Sequence, residues 1–335
     1  MSVTIQKIAK DLQLAVSTVS KALRDSYEIS AETKKRVFEY ANKLDYAPNP
    51  YASSLKQRKT RNIAVVLPEV ADSFFSSAIN GIESIAQKKG YHVMVYITHE
   101  DLEKEISILR DLRNGRVDGV LISVSSGAEQ NSDVHNQCAK KIPLVFFDRA
   151  CEGIVAAKVL TDDYESGYKA TRHLLAKKCE KIAFLAPFED LSIIDDRIDG
   201  YKKALRDNGY KVKNEWIIRC INNEEESYAT IRELMRKKDR PDGIIGSIEK
   251  HATLTYAVCN DLKLKIPQDV KVIGFSSLPI ASLLNPSLTT ITQPAFEMGR
   301  TAATLLFDSL EKKKTEIQFQ RVIIPSTLVD RNSTK

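Results

Sequence analysis

Two series of short apolar runs, separated by stretches of helical pattern, set the narrowest limit on how this chain can fold. The first series is IAVVLP, VMVYIT, GVLISV and PLVFFD, beginning near residues 63, 93, 119 and 143. The second is KIAFLAP, EWIIRC, DGIIGSI and KVIGFSS, beginning near 181, 215, 242 and 271. Runs that are apolar throughout, rather than alternating, fit strands covered on both faces, as in parallel sheets with helices on either side. Helix ends recur in step: QKKGYHV at 87–93 and RDNGYKV at 206–212 each place a glycine at a helix C-terminus just before the next strand. A similar fold built twice predicts a body of two doubly wound parallel-sheet subdomains with right-handed crossovers. Ligands of such sheets favour the carboxyl ends of the strands.

Before residue 62 the pattern is different. In TIQKIAKDLQLAVSTVSKALRDS, Thr4 can cap a first helix with Ile5, Ile8, Ala9 and Leu12 on one face. After a connector at Gln13 and Leu14, a second helix at about 15–23 turns Ala15, Val19, Ala22 and Leu23 inward and Val16, Ser17, Ser20 and Lys21 outward. A third, capped by Ser30 and running to about 44, buries Val37, Tyr40, Ala41 and Leu44 and displays Lys34, Lys35 and Arg36. Three short amphipathic helices with a tight first turn predict an all-α helix-turn-helix head.

Charge singles out the same segment. Residues 1–61 hold 12 Lys/Arg against 6 Asp/Glu, so the whole net charge of +6 sits there and the other residues sum to zero. This is the footprint of phosphate binding, in which neutralised phosphates release counterions. The outward face of the second helix suits a major groove: it is short, polar and free of acids. Ser17, Thr18 and Ser20 can bond phosphates or base edges, Lys21 can reach guanine, and Val16 can touch a thymine methyl.

Other function classes find little support. No GxGxxG follows a strand and no GxxxxGK[ST] occurs, so a dinucleotide or triphosphate cofactor is not expected. His92, His99, His135, His173 and His251 lack metal-ligand spacing, and no catalytic set is visible; the expectation is neither enzyme nor metalloprotein. Cys138, Cys151, Cys179, Cys220 and Cys259 are widely spaced without a CxxC pair, which fits reduced structural thiols. No apolar run approaches the ~20 residues needed to cross a bilayer, and no signal-peptide pattern opens the chain, so a cytoplasmic location is expected.

The segments AVSTVSKAL, ISAETKKRV and LDYAPNPYASSL together resemble the LacI/GalR family of bacterial repressors, and the resemblance runs on through the body. It implies that the second helix reads the major groove, with Val16, Ser17 and Lys21 at base-reading positions and Thr4, Thr18, Ser20 and Ser30 near phosphates. The proline-led stretch from Pro48, meeting the basic run Lys56, Arg58, Lys59 and Arg61, is too short to be stable as an isolated helix. The resemblance makes it a hinge helix that orders on DNA, bringing Asn49, Tyr51 and Ala52 to the duplex and levering Leu55 into the minor groove, where a wedge kinks a base step.

The resemblance further implies a body like a periplasmic sugar-binding protein, with a small, sugar-related effector in the cleft between its halves. Phe74 and Phe75 would offer aromatic faces, and Asp148 and Arg197 would hydrogen-bond the effector. At two further wall positions, many sugar-responsive relatives carry acceptors where this chain has Ile248 and Ser276. Their loss predicts an effector other than a free neutral sugar of the usual kind, or a weakly liganded pocket.

The expected organisation is residues 1–47 as head, 48–61 as hinge and linker, and 62–335 as effector-binding and dimerisation body. Within the body, the N-subdomain takes about 62–161 and 292–318 and the C-subdomain about 162–291 and 319–335. With no trailing heptad repeat, a homodimer on a pseudo-palindromic operator is expected, repressing genes of sugar or carbon metabolism. The alternative is a solute-binding or sensor protein without a DNA role, which would share the body but need no basic helical head.

Overall fold

The computed structural model describes residues 4–46, 59–188, 191–221, 223–312 and 320–335. These form two units that divide after Thr60. The chain adopts the fold class its sequence announces: a short helical head, then two parallel-sheet α/β subdomains.

In the head, α1 (Ile5–Asp11), α2 (Val16–Ala22) and α3 (Ala31–Lys43) enclose a small core of Ile8, Ala9, Val19, Ala22, Val37 and Ala41. Thr4 caps α1, its hydroxyl accepting from the Lys7 amide, and Ser30 caps α3 by accepting from the Thr33 amide. Ala15 departs from expectation. It is exposed at the N-cap of α2, one residue ahead of the first helical turn, so its methyl never reaches the core. Tyr40 and Leu44 are half-buried on the rim rather than fully buried.

The body begins with β1 (Asn62–Leu67), α4 (Ser73–Lys88), β2 (His92–Ile97), α5 (Leu102–Leu112), β3 (Gly119–Ile122), α6 (Asp133–Ala139), β4 (Leu144–Phe147) and β5 (Ala157–Leu160). The chain then passes to α7 (Asp163–Ala176), β6 (Ile182–Pro187), α8 (Ser192–Asp207), β7 (Ile217–Cys220), α9 (Glu224–Arg236), β8 (Gly243–Gly246), α10 (Glu249–Asp261), β9 (Lys271–Phe275) and β10 (Thr289–Thr292). It returns through α11 (Ala295–Lys312) and ends with β11 (Arg321–Ile323) and β12 (Thr327–Val329).

One sheet has the order β11-β5-β4-β3-β1-β2, with every pairing parallel. The other is β12-β10-β9-β8-β6-β7, parallel except where β12 runs against β10. Central strands such as β3, β4 and β8 are buried at every residue, because helices cover both faces.

The C-terminal boundary needs correction. Residues 319–335 do not all join the second half: Arg321–Ile323 pair with Lys158–Leu160 in the first sheet, and only Thr327–Val329 pair in the second. The run RVIIPSTLVD is therefore two strands. Pro325 has no N–H to extend a ladder, and the chain crosses from one sheet to the other beside it. This crossing is pinned to the one at Thr161 and Asp162. The Thr161 and Ser326 hydroxyls lie 2.7 Å apart, and the Ser326 amide donates to Asp162 Oδ1 at 2.7 Å.

Each half also contains one pair of helices in near backbone contact. A Cβ on Gly81 of α4 would lie 2.1 Å from the Phe296 carbonyl oxygen of α11, and one on Gly299 of α11 would lie 2.0 Å from that of Ala78. In the second half, Gly167 of α7 faces the Arg197 carbonyl of α8 and Gly200 of α8 faces that of Tyr164, each at 2.0 Å from the missing Cβ. Only glycine fits such approaches.

Candidate functional site

Two surfaces stand out, one on each unit. On the head, Val16 opens α2 with its side chain 44% exposed, Ser17 and Lys21 are exposed beside it, and Thr18 and Ser20 are half-buried. An exposed β-branched residue followed by hydroxyls is a poor solvent-facing choice but a good one for a surface that meets base edges. Lys21 is engaged: its ammonium pairs with Glu28, both side chains being about half exposed. A pair this exposed is worth little and can be exchanged for a better anion. The Ser20 hydroxyl accepts from Arg24 at 3.0 Å. Thr4 and Ser30 are exposed at helix N-termini, where amide groups already favour an anion, and Ser30 also donates to the Thr33 hydroxyl at 2.9 Å. The remaining candidates of this set, Asn49, Tyr51, Ala52 and Leu55, lie outside the described residues.

In the body, a cavity lies at the carboxyl ends of the strands, between the two sheets. Phe74, Phe75, Asp148, Arg197, Ile248 and Ser276, drawn from five separate stretches of sequence, all line it. Asp72 caps α4, accepting from the Phe74 amide at 2.7 Å, and this cap fixes the turn that brings Phe74 and Phe75 to the wall. Their rings meet edge-on, with centroids 5.2 Å apart.

Asp148 and Arg149 follow β4. Asp148 has φ +63°, an uncommon conformation for a residue with a side chain, and is held there by its amide bond to Val159 O at 2.9 Å. Its carboxylate accepts from the Ser123 hydroxyl at 3.0 Å. Burial pushes the Asp148 pKa up to about 6, against the opposing pull of Arg149 and Arg197. Asp72 is raised to about 6 as well, first by burial and then by the charges of Glu249, Glu69 and Asp148.

Arg197, 2% exposed, is held from three sides. Its Nε donates to Asp163 Oδ1 at 2.6 Å and Nη1 to the Ser247 carbonyl at 2.6 Å, while the guanidinium lies 4.3 Å from the centre of the Phe275 ring. Arg149 is likewise taken up, by Glu100 at 2.6 Å. Both arginines thus face the cavity already neutralised.

The removal of acceptors inferred at Ile248 and Ser276 does not leave the wall without them. Glu249, first residue of α10, accepts from the Ser276 hydroxyl at 2.6 Å and from the Ser73 hydroxyl, and so joins the two halves across the cleft. Glu249 was not apparent from the sequence, nor were Asp72, Ser247 and Gln293. The usable signal was position, since each directly follows a strand or caps or opens a helix at a sheet's carboxyl edge. The Ser247 hydroxyl and the Gln293 side-chain nitrogen line the cavity buried and without a hydrogen-bond partner. A buried polar group left unmatched is costly, and a polar ligand would satisfy both.

Elsewhere, two buried histidines have local partners. His135 bonds Glu105 at 2.6 Å in a fully buried pair, and His251 bonds the Leu185 carbonyl at 3.1 Å, its pKa lowered by burial to about 4. The five cysteines are buried and unpaired. Among the described residues no helix is long and apolar enough to cross a membrane.

Residues 4–49 match the model of bacterial regulatory proteins, lacI family, and residues 171–334 match that of a periplasmic binding protein-like domain. The chain thus carries a lacI family helix-turn-helix domain followed by a periplasmic binding protein-like domain. It is 29% identical over 335 residues to the HTH-type transcriptional regulator RegA of Clostridium saccharobutylicum, covering 100% of both chains. A lacI family transcriptional regulator from Enterococcus faecium, solved with bound ribose, is 27% identical with a TM-score of 0.71 over 81% of this chain and 98% of that one. The lac repressor dimer bound to operator and the anti-inducer ONPF shares the fold, with a TM-score of 0.87 over 100% of this chain and 99% of that one at 21% identity. The lacI family relatives are DNA-binding transcription regulators by name, and this chain is a regulator of that type.

Proposed function

We propose that this lacI family regulator is a cytoplasmic repressor without catalytic activity that reads a two-fold symmetric operator as a homodimer. A small, hydroxylated, sugar-related molecule in the body's cleft controls it. The observation that carries this reading is the concentration of all excess positive charge in residues 1–61, head and hinge together, with an exposed α2 face of Val16, Ser17 and Lys21. Val16, Ser17 and Lys21 would read bases, while Thr4, Thr18, Ser20 and Ser30 would hold phosphates. Asn49, Tyr51, Ala52 and Leu55 would engage the minor groove. The Enterococcus faecium relative with bound ribose supports a sugar-like ligand for the cleft.

The switch is differential affinity: a molecule that closes the cleft favours one arrangement of the two halves, and DNA favours one of the two. Head, hinge and body are proposed to divide at about residues 47 and 61, the body's halves exchanging chain at 161–162, 293–294 and 324–326.

Selection from random duplexes tests this reading. A symmetric consensus should emerge, and a deproteinised bacterial extract should alter its retention. Recovery of unrelated sequences at moderate salt would contradict it. Replacing Glu28 by Gln should free Lys21 and tighten binding about two- to threefold, measured by fluorescence anisotropy.

A further inference from the structure

The charge balance of the cleft has a direction. Three carboxylates line the cavity, those of Asp72, Asp148 and Glu249, together with the two arginines. The arginines bring no surplus, because Arg197 is bonded to Asp163 and Arg149 to Glu100. One oxygen of each lining carboxylate is held: Asp72 by the Phe74 amide, Asp148 by the Ser123 hydroxyl and, in an ion pair at 3.6 Å, by Arg149, and Glu249 by Ser73 and Ser276. Among the described residues, the second oxygen of each has no hydrogen-bond partner.

Ser247 and Gln293 supply the independent sign that a ligand belongs here. Ser247 is fully buried and Gln293 is 9% exposed, and both present unpartnered polar atoms at the same cavity. A metal ion does not answer the description, since among the described residues no group of three or more His, Cys, Asp or Glu is placed to hold one. An anionic ligand would meet Asp72 and Glu249, neither of them in an ion pair among the described residues, with both arginines already engaged by carboxylates. A neutral polyol could satisfy the free oxygens by donating hydroxyls, but would leave the charge excess unmatched in a cavity walled by Phe74, Phe75 and Phe275.

Resting on the reading of this cleft as the effector site, we propose that its ligand is a small hydroxylated molecule bearing a protonated amine, of the amino-sugar class. The ammonium pairs with the free oxygen of Asp72, within the negative field of Glu249 and Asp148. The Gln293 amide nitrogen donates to a ligand hydroxyl or ring oxygen, the Ser247 hydroxyl exchanges a further bond, and the phenylalanine faces cover the apolar side of the ring.

Full-length protein is titrated by calorimetry with glucosamine, galactosamine and mannosamine, with the parent hexose of each, and with glucose 6-phosphate. At least one hexosamine should bind about tenfold more tightly than its parent hexose, with the phosphate weakest. In Asp72→Asn, which keeps the helix cap, the hexosamine should lose more affinity than its parent hexose, so that preference should shrink. Melting temperature reports that the variant is folded. Hexoses binding as tightly as their amines, or glucose 6-phosphate binding best, would overturn the amine assignment while leaving the cleft as effector site. No response to any hexosamine would overturn it too. The cleft reading would then be judged by whether the extract alters DNA retention in wild type but not in Arg197→Ala.

Discussion

The two helix pairs that back the sheets solve the same packing problem by different routes through the chain. In the second half, α7 and α8 are separated by a single strand; in the first, α4 meets α11 only after the chain has built the entire other half and returned. Both pairs place one glycine of each helix against a carbonyl of its partner, so the repeated element is backbone contact rather than chain order. The difference lies in what each contact supports. Gly167 faces the Arg197 carbonyl itself, so this approach sets the guanidinium against Asp163 and Ser247. Gly299 faces Ala78, a turn beyond Phe74 and Phe75, whose rings are placed by the Asp72 cap and by packing.

Substituting these glycines separates the two duties. Gly167→Ala and Gly299→Ala should each cost about 3 kcal/mol in urea unfolding, because backbone must move to admit a methyl. Only Gly167→Ala should also abolish ligand-induced thermal stabilisation. Equal loss of ligand response in both variants would break the distinction.

The acids of the cleft come next in size. The Asp72 pKa is about 6 in the folded protein against a reference of 3.8, so the folded state takes up a proton more readily than the unfolded. The stability this confers is present below pH 4 and is lost as pH rises through 6. Asp72→Asn, which keeps the cap and carries no charge, should therefore be about 2 kcal/mol more stable than wild type at pH 7.5, with the difference vanishing near pH 4. Thermal melts across that range decide it. Arg197→Lys in the opposite wall should cost about 1 kcal/mol in the same unfolding assay, since an ammonium cannot span Asp163 and Ser247 as the guanidinium does.

Much of this architecture was legible because its signals are local. Apolar runs such as GVLISV announce buried strands, and Thr4 and Ser30 announce helix starts, wherever the rest of the chain goes. Ala15 was misplaced because spacing cannot tell a cap from a first turn. Residues 319–335 read as one piece of the C-subdomain because both halves of RVIIPSTLVD are β-formers, although Pro325 was the available warning. Phe74, Phe75, Asp148, Arg197, Ile248 and Ser276 were picked through family resemblance, and the fold brings them to one cavity. Asp72, Ser247, Glu249 and Gln293 went unseen because they gain meaning only when two sheet edges face each other. A glutamate opening a helix is an ordinary surface residue until Ser73 and Ser276 close on it.

The account turns on one coupling, between what fills the cleft and how tightly the head holds DNA. Anisotropy of the selected duplex, titrated with full-length wild type and with Arg197→Ala in the presence and absence of deproteinised extract, measures it directly. Wild-type affinity should change about tenfold or more with extract, and Arg197→Ala should bind the duplex but not respond. An identical response in both proteins, or none in wild type, would contradict it.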